Sequence, residues 1–170
     1  NEQRRYEMEA VVEKKERTDL DGKFLTFVLG DEIYGIAILK AREIIGLMDI
    51  TTVPQTPDYM KGVINLRGKV IPVIDLRMKF SMQEGERTQE TCVIVVEVNG
   101  TSIGVIVDSV SEVSDITGAE IEDAPNFGQG IDTSFIMGLG KVRDKIIILL
   151  DIETVLSTEE LEMVEELAED

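Results

Sequence analysis

Histidine and tryptophan are absent from this chain of 170 residues, and it has one cysteine, Cys92. Without histidine the commonest general base and the commonest metal ligand are missing, which excludes Ser-His-Asp and Cys-His catalytic sites. A lone cysteine rules out an intrachain disulfide and a cysteine-rich zinc site, and a reducing compartment is the simpler expectation. Cys92 lies in the apolar run 91–98, where a small buried hydrophobe is the expected role. No stretch approaches the ~18 uninterrupted apolar residues of a membrane span. The charged N-terminus has no apolar signal-peptide core, so a cytoplasmic location is expected. Basic residues are scarce too: 17 Lys and Arg stand against 34 Asp and Glu, a formal net charge of −17. That sign repels nucleic acid phosphates and anionic headgroups, so neither is an expected partner. Part of the acidity belongs to the tail, where Glu159, Glu160, Glu162, Glu165, Glu166, Glu169 and Asp170 have no basic neighbour in sequence.

Signals for cofactors are equally thin. Gly138-Leu139-Gly140 and Gly128-Gln129-Gly130 lack the third glycine and following helix of a dinucleotide loop. Asp19-Leu20-Asp21-Gly22 lacks the remaining ligand spacing of a calcium loop, including the closing glutamate. No cofactor, no metal and no enzymatic activity are expected.

What the chain does have is an internal repeat. Residues 24–45 (FLTFVLGDEIYGIAILKAREII) lie without a gap over 93–114 (VIVVEVNGTSIGVIVDSVSEVS), setting Gly35 over Gly104 and Glu43 over Glu112. Residues 58–76 lie over 134–152, setting Gly62 over Gly138 and Asp75 over Asp151. The halves differ in their connectors, 46–57 and 115–133. One small unit built twice is the economical reading, and two such units side by side create a groove suited to binding.

Each half opens with a β-rich hairpin, 24–29 with 33–38 and 93–98 with 102–107, the second joined by the preferred turn pair Asn99-Gly100. Short amphipathic stretches follow at 39–43 and 108–112, where a turn of helix or a bend is expected. Pro57 favours a short helix start near Tyr59 and Met60. The connector with Pro125, Gly128 and Gly130 reads as a mobile loop. Second hairpins follow around Arg67-Gly68-Lys69 and Arg143-Asp144-Lys145. Pro72 cannot donate a ladder hydrogen bond and favours an edge strand or bulge. Asp75 and Asp151 are candidate N-caps. Residues 157–168 form an acidic C-terminal helix with Leu161, Val164 and Leu167 as its packing stripe. The expected fold is mainly β: two small antiparallel barrels with short helices and that C-terminal helix. Folded structure begins near Lys23, preceded by a frayed or helical arm over 1–21.

A binding surface remains as the functional signal. Asn65-Leu66-Arg67-Gly68 puts a long cation on a rigid turn in an acidic protein, and arginine is enriched at interface hot spots. Ile36, Ile38 and Ala41 in the first half correspond to Val105 and Val107 in the second. Alternation points some of these side chains away from their own barrel, where they would line a shared apolar cleft.

Four motifs carry a family resemblance: Phe-Leu-x-Phe-x-Leu-Gly-x-Glu-x-Tyr-Gly-Ile-x-Ile-x-x-x-x-Glu-Ile from Phe24, Lys61-Gly62-Val63-Ile64-Asn65-Leu66-Arg67-Gly68, Ile71-Pro72-Val73-Ile74-Asp75-Leu76-Arg77, and Gly104-Val105-Ile106-Val107-Asp108-Ser109-Val110. They resemble the CheW coupling proteins of bacterial chemotaxis over about residues 22–156. The resemblance implies two intertwined SH3-like five-stranded barrels. It also implies a non-enzymatic adaptor that couples methyl-accepting chemoreceptors to the histidine kinase CheA, in the cytoplasm at membrane-associated receptor arrays. Carried over by position, Ile38, Ala41, Glu43, Gly62, Asn65 and Arg67 become receptor-contact candidates, with Val105 and Val107 added from the repeat. Kinase contacts are placed loosely at Ile44, Ile45, Gly46, Leu47 and Met48, through the kinase's regulatory domain. Position 41 departs from the family, carrying alanine where a larger aliphatic residue is common. Nothing after Leu156 is long enough for a receiver domain, which argues against the CheV-type variant. The alternative is a CheW-like regulatory domain belonging to a larger kinase.

Overall fold

The computed structural model describes residues 22–124 and 134–168. The expectations for the arm 1–21, for Asp19-Leu20-Asp21 and for the Pro125, Gly128 and Gly130 stretch lie outside those residues. The strands are β1 (Lys23–Leu29), β2 (Glu32–Ala37), β3 (Ala41–Gly46), β4 (Met60–Leu66), β5 (Lys69–Asp75), β6 (Cys92–Val98), β7 (Thr101–Val107), β8 (Ser109–Asp115), β9 (Ile121–Glu122), β10 (Ile136–Val142) and β11 (Lys145–Leu150). Among the described residues two α-helices accompany them, α1 (Leu76–Lys79) and α2 (Thr158–Leu167).

The strands form a six-stranded sheet in the order β8-β1-β2-β11-β10-β9 and a five-stranded sheet in the order β3-β6-β7-β5-β4. The mainly β, two-unit architecture is thus present, with a difference in pairing. Each sheet takes one hairpin from each repeat, and the two hairpins meet in a parallel pair, β2 with β11 and β5 with β7. The registers of these junctions match: Leu149 faces Gly35 in one sheet and Val73 faces Gly104 in the other. A Cβ on Gly35 would come within 3.2 Å of the Ile147 and Leu149 methyl groups, and one on Gly104 within 2.8 Å of Val93. The two aligned glycines make room for apolar side chains from the strands beside them.

Because both faces of the central strands are covered, their sequences are continuously apolar rather than alternating. In β6, Val93 and Val95 pack with Ile64, Leu66, Ile71, Val73 and Ile106 on one side of the five-stranded sheet. Ile94, Val96 and Val98 point the other way, into a larger core shared with Leu25, Phe27 and Leu29 of β1, Val105 and Val107 of β7, and Leu161 and Val164 of α2. A third cluster, Phe24, Ile116, Ile147 and Leu149, serves the six-stranded sheet. The outward members of the strands therefore fill a closed core. Val105 and Val107 are each 1 % exposed, which corrects their expected place on a shared open cleft.

Other local expectations change for identifiable reasons. The stretch 39–43 makes one short 3-10 turn at Ile38–Lys40 and then becomes β3, while 108–112 passes into β8. Hydrogen bonding to β6 and β1 favours a third strand over a helix too short to nucleate. No helix begins after Pro57; the Met60 N–H bonds the Pro57 carbonyl at 2.9 Å and β4 starts there. Asp75 caps α1, its carboxylate accepting the Met78 N–H at 3.4 Å, whereas Asp151 accepts the Glu153 N–H at 3.1 Å within a turn. Pro72 lies on an interior strand, but pairing with β7 begins one residue later at Val73, so the strand is still an edge on that side. Ser157 and Glu160 form a reciprocal capping box that starts α2.

Candidate docking cleft on the five-stranded sheet

β3 and β4 are the two edges of the five-stranded sheet, and an ion pair joins them at one end. Arg67 Nη2 donates to Glu43 Oε1 at 2.6 Å. Arg67 occupies the first position of a two-residue turn between Leu66 and Lys69, with φ of 52° at Arg67 and 85° at Gly68. Positive φ at both central residues is the type I′ geometry that matches the twist of the strands. Asn65 stabilises the turn, its Oδ1 accepting the Gly68 N–H at 2.9 Å. A left-handed conformation costs a long side chain on the order of 1 kcal/mol. Asparagine would fit this position with less strain, so the turn geometry alone does not account for arginine here.

Glu43 is aimed by a β-bulge. The register with β6 shifts between Ala41 and Glu43, leaving Arg42 as the extra residue, and bulges re-aim the side chains next to them. Arg42 forms its own ion pair with Glu97 of β6. Between these two pairs lies a cleft of about 580 Å³, with Lys69 on its rim and Leu66, Ile71 and Val95 beneath it. The structure therefore brings Glu43, Asn65 and Arg67 together, and it adds Arg42, Lys69 and Glu97, which sequence reading missed. Their signal was alternation along β3, β5 and β6, legible only once β3 was known to be a strand.

The remaining receptor candidates separate. Ile38, the first residue of the 3-10 turn, and Ala41, which follows it, are half-buried and packed against the central core. Leu39 between them is 52 % exposed, an apolar surface residue that the sequence did not single out. Gly62 is buried, with φ of 141°, and a Cβ there would sit 2.0 Å from the Thr51 carbonyl oxygen. Its place is a close backbone crossing inside the sheet. Val105 and Val107 lie in the core, as described. Of the kinase candidates, Ile44 and Met48 are exposed at 48 % and 37 %, and Gly46 is exposed with them. Ile45 and Leu47 turn inward onto the core of the five-stranded sheet.

Two polar anchors hold the surroundings in place. Arg77 makes a bidentate pair with Asp108 at 2.7 and 2.5 Å, and Asp108 also accepts the Gly30 N–H at 2.9 Å. This ties α1 to the β1–β2 turn of the other sheet. Burial opposes ionisation of Asp108, but the Arg77 guanidinium and the Gly30 N–H outweigh it and hold the carboxyl below its ordinary range. The second anchor docks α2. Lys79 reaches both oxygens of Glu160 at 3.0 and 2.8 Å and stacks 4.9 Å over the Tyr59 ring. Burial again raises the Glu160 pKa, yet Lys79 and the Ser157 cap prevail and bring it to about 2. Among the described residues no helix is long and apolar enough to cross a membrane.

Comparison with known proteins places this geometry in context. The family model described as CheW-like domain matches residues 23–160. The chain is 42 % identical over 159 residues to a chemotaxis protein CheW of Klebsiella aerogenes, covering 94 % of this chain and 96 % of that protein. It is 34 % identical over 137 residues to a chemotaxis protein CheW of Bacillus subtilis, covering 81 % and 88 %. A solved structure, the scaffolding protein TtCheW from Thermoanaerobacter tengcongensis, superposes with a TM-score of 0.74 at 37 % identity, covering 82 % of this chain and 94 % of that one.

Proposed function

The chain belongs to the CheW-like family of non-enzymatic chemotaxis scaffolds, and on that premise we propose that it couples the cytoplasmic tips of methyl-accepting chemoreceptors to the regulatory domain of the histidine kinase CheA. The carrying observation is the Glu43–Arg67 pair, held on a strained turn and a bulge beside an open cleft where the family resemblance puts the receptor contact. A receptor helix docks here with apolar contact at Ile38, Leu39 and Ala41 and orientation from Arg67. Asn65 and Gly62 act on this site through the backbone, and Val105 and Val107 support it from the core. The exposed Ile44 and Met48, with Gly46, form the kinase-facing surface, and Ile45 and Leu47 anchor that segment. Residues 22–156 carry the coupling function, with α2 docked on their core. The protein works in the cytoplasm at receptor arrays.

The alternative of a regulatory domain within a larger kinase is less favoured, because the match runs over 96 % of the Klebsiella CheW. The test is reconstitution with a receptor signalling fragment and CheA, measuring kinase autophosphorylation with and without this chain. Stimulation is expected. No binding to either partner and no stimulation would overturn the proposal.

A further inference from the structure

The cleft beside Arg67 has the opposite charge balance to the rest of the molecule. We propose that it takes carboxylates, from an acidic segment of the helical partner, with Arg67 and Lys69 as contact residues and Glu43 as a positioning residue. This inference rests on the adaptor reading above and gives the partner surface its chemistry.

Against a formal net charge of −17 for the whole chain, the cleft gathers three cations, Arg42, Arg67 and Lys69, and two carboxylates, Glu43 and Glu97. Arg42 is occupied by Glu97. Arg67 uses one Nη to hold Glu43, and the rest of its guanidinium has no partner among the described residues. A guanidinium has five N–H donors in a planar fork, so one carboxylate can orient it while another binds its free edge. The Arg67 side chain is 70 % exposed, which leaves that edge within reach. Lys69 is exposed and makes no ion pair among the described residues.

Two incompletely used cations therefore stand at one end of the same hairpin, over an apolar floor of Leu66, Ile71 and Val95. An apolar floor strengthens charge–charge attraction by keeping the local dielectric below that of water. The surrounding negative field repels acidic partners elsewhere on the surface, so this cleft also fixes orientation and register. A basic partner would instead meet Lys69 and the free edge of Arg67.

The experiment titrates the intact chain with a soluble cytoplasmic-tip fragment of a methyl-accepting chemoreceptor at about 50 mM and about 500 mM salt, a range that shortens the screening length severalfold. Affinity is expected to fall about tenfold with salt, Arg67→Glu to weaken binding about tenfold or more, and Lys69→Glu about threefold. Replacing the fragment's Asp and Glu residues singly by Lys should yield at least one change that restores binding to Arg67→Glu. For the positioning role, Glu43→Ala should weaken binding while Glu43→Gln, which keeps the acceptor oxygen, stays close to wild type. Salt-insensitive binding, unchanged affinity in both charge reversals, or no compensating change in the fragment would overturn the carboxylate proposal while leaving the adaptor reading standing. A wild-type chain that neither binds the fragment nor stimulates the kinase would overturn both.

Discussion

In the five-stranded sheet Glu43 and Arg67 close an ion pair of 2.6 Å, whereas Glu112 and Arg143, at the corresponding repeat positions in the six-stranded sheet, form none among the described residues. The backbones around them are alike. Arg143-Asp144 is also a two-residue turn with positive φ at both positions, 50° and 66°, and β8 also shows a register irregularity against β1. What differs is what surrounds the glutamate. Thr26, buried in β1, donates its hydroxyl to the Glu112 carbonyl at 2.8 Å and accepts the Glu112 N–H at 3.1 Å, while the matching residue of β6 is Val95. The comparison teaches that duplication of the core register reproduces the fold, and that the Glu43–Arg67 pair is confined to the first copy, in a cleft to which β6 of the second copy adds Val95 and Glu97.

The largest expected effect contrasts Gly62 with Gly138. Both crowd a crossing backbone, but an added Cβ would lie 2.0 Å from the Thr51 oxygen at Gly62 and 2.7 Å from the Glu122 oxygen at Gly138. With positive φ at Gly62 as well, Gly62→Ala should destabilise by about 3 kcal/mol or more, and Gly138→Ala by roughly 1–2 kcal/mol. Urea denaturation of both variants checks this; equal losses would mean that the two crossings are equivalent after all.

Next come the anchors, where the repeat has diverged. Arg77 and Glu153 hold corresponding positions, and the first half-buries its pair with Asp108 while Glu153 pairs with Lys40 near the surface at 2.5 Å. Arg77→Ala should cost about 2 kcal/mol by stranding a half-buried carboxylate, against under about 0.5 kcal/mol for Lys40→Ala. Thermal melting distinguishes them.

A smaller, pH-dependent effect belongs to α2. The folded-state pKa of Glu160 is depressed to about 2, so its contribution is fully present above the ordinary glutamate range and disappears as pH falls toward that value. Glu160→Gln should remove about 1 kcal/mol at neutral pH and flatten this part of the acid profile. Equilibrium unfolding at pH 7 and pH 3 measures it, and an unchanged profile would count against the Lys79 anchor. Smallest in stability terms, Arg67→Ala and Arg143→Ala should each change it by less than about 0.5 kcal/mol, because both arginines are exposed.

The repeat exposed the most consequential fold feature directly, since aligning Gly35 with Gly104 picks out the two junction glycines. Asn99-Gly100 and the Asp75 cap were legible because their chemistry is local. Which hairpin pairs with which was not, because parallel pairing of β2 with β11 joins residues far apart in sequence and leaves no local mark. For the same reason Val105 and Val107 read as cleft residues: alternation shows that they leave one face, and only the second sheet shows what covers the other. At the site, Arg67 stood out through its turn and its charge. Leu39 and Lys69 did not, since exposure of one apolar residue and freedom of one lysine depend on neighbours from other strands.

The most direct test of the central claim, that Arg67 and not its counterpart Arg143 serves the proposed coupling, is CheA autophosphorylation in the presence of a receptor signalling fragment and each arginine variant. The account predicts that wild type and Arg143→Ala stimulate the kinase alike while Arg67→Ala loses most of the stimulation and remains folded. Equal stimulation by the two variants would contradict it.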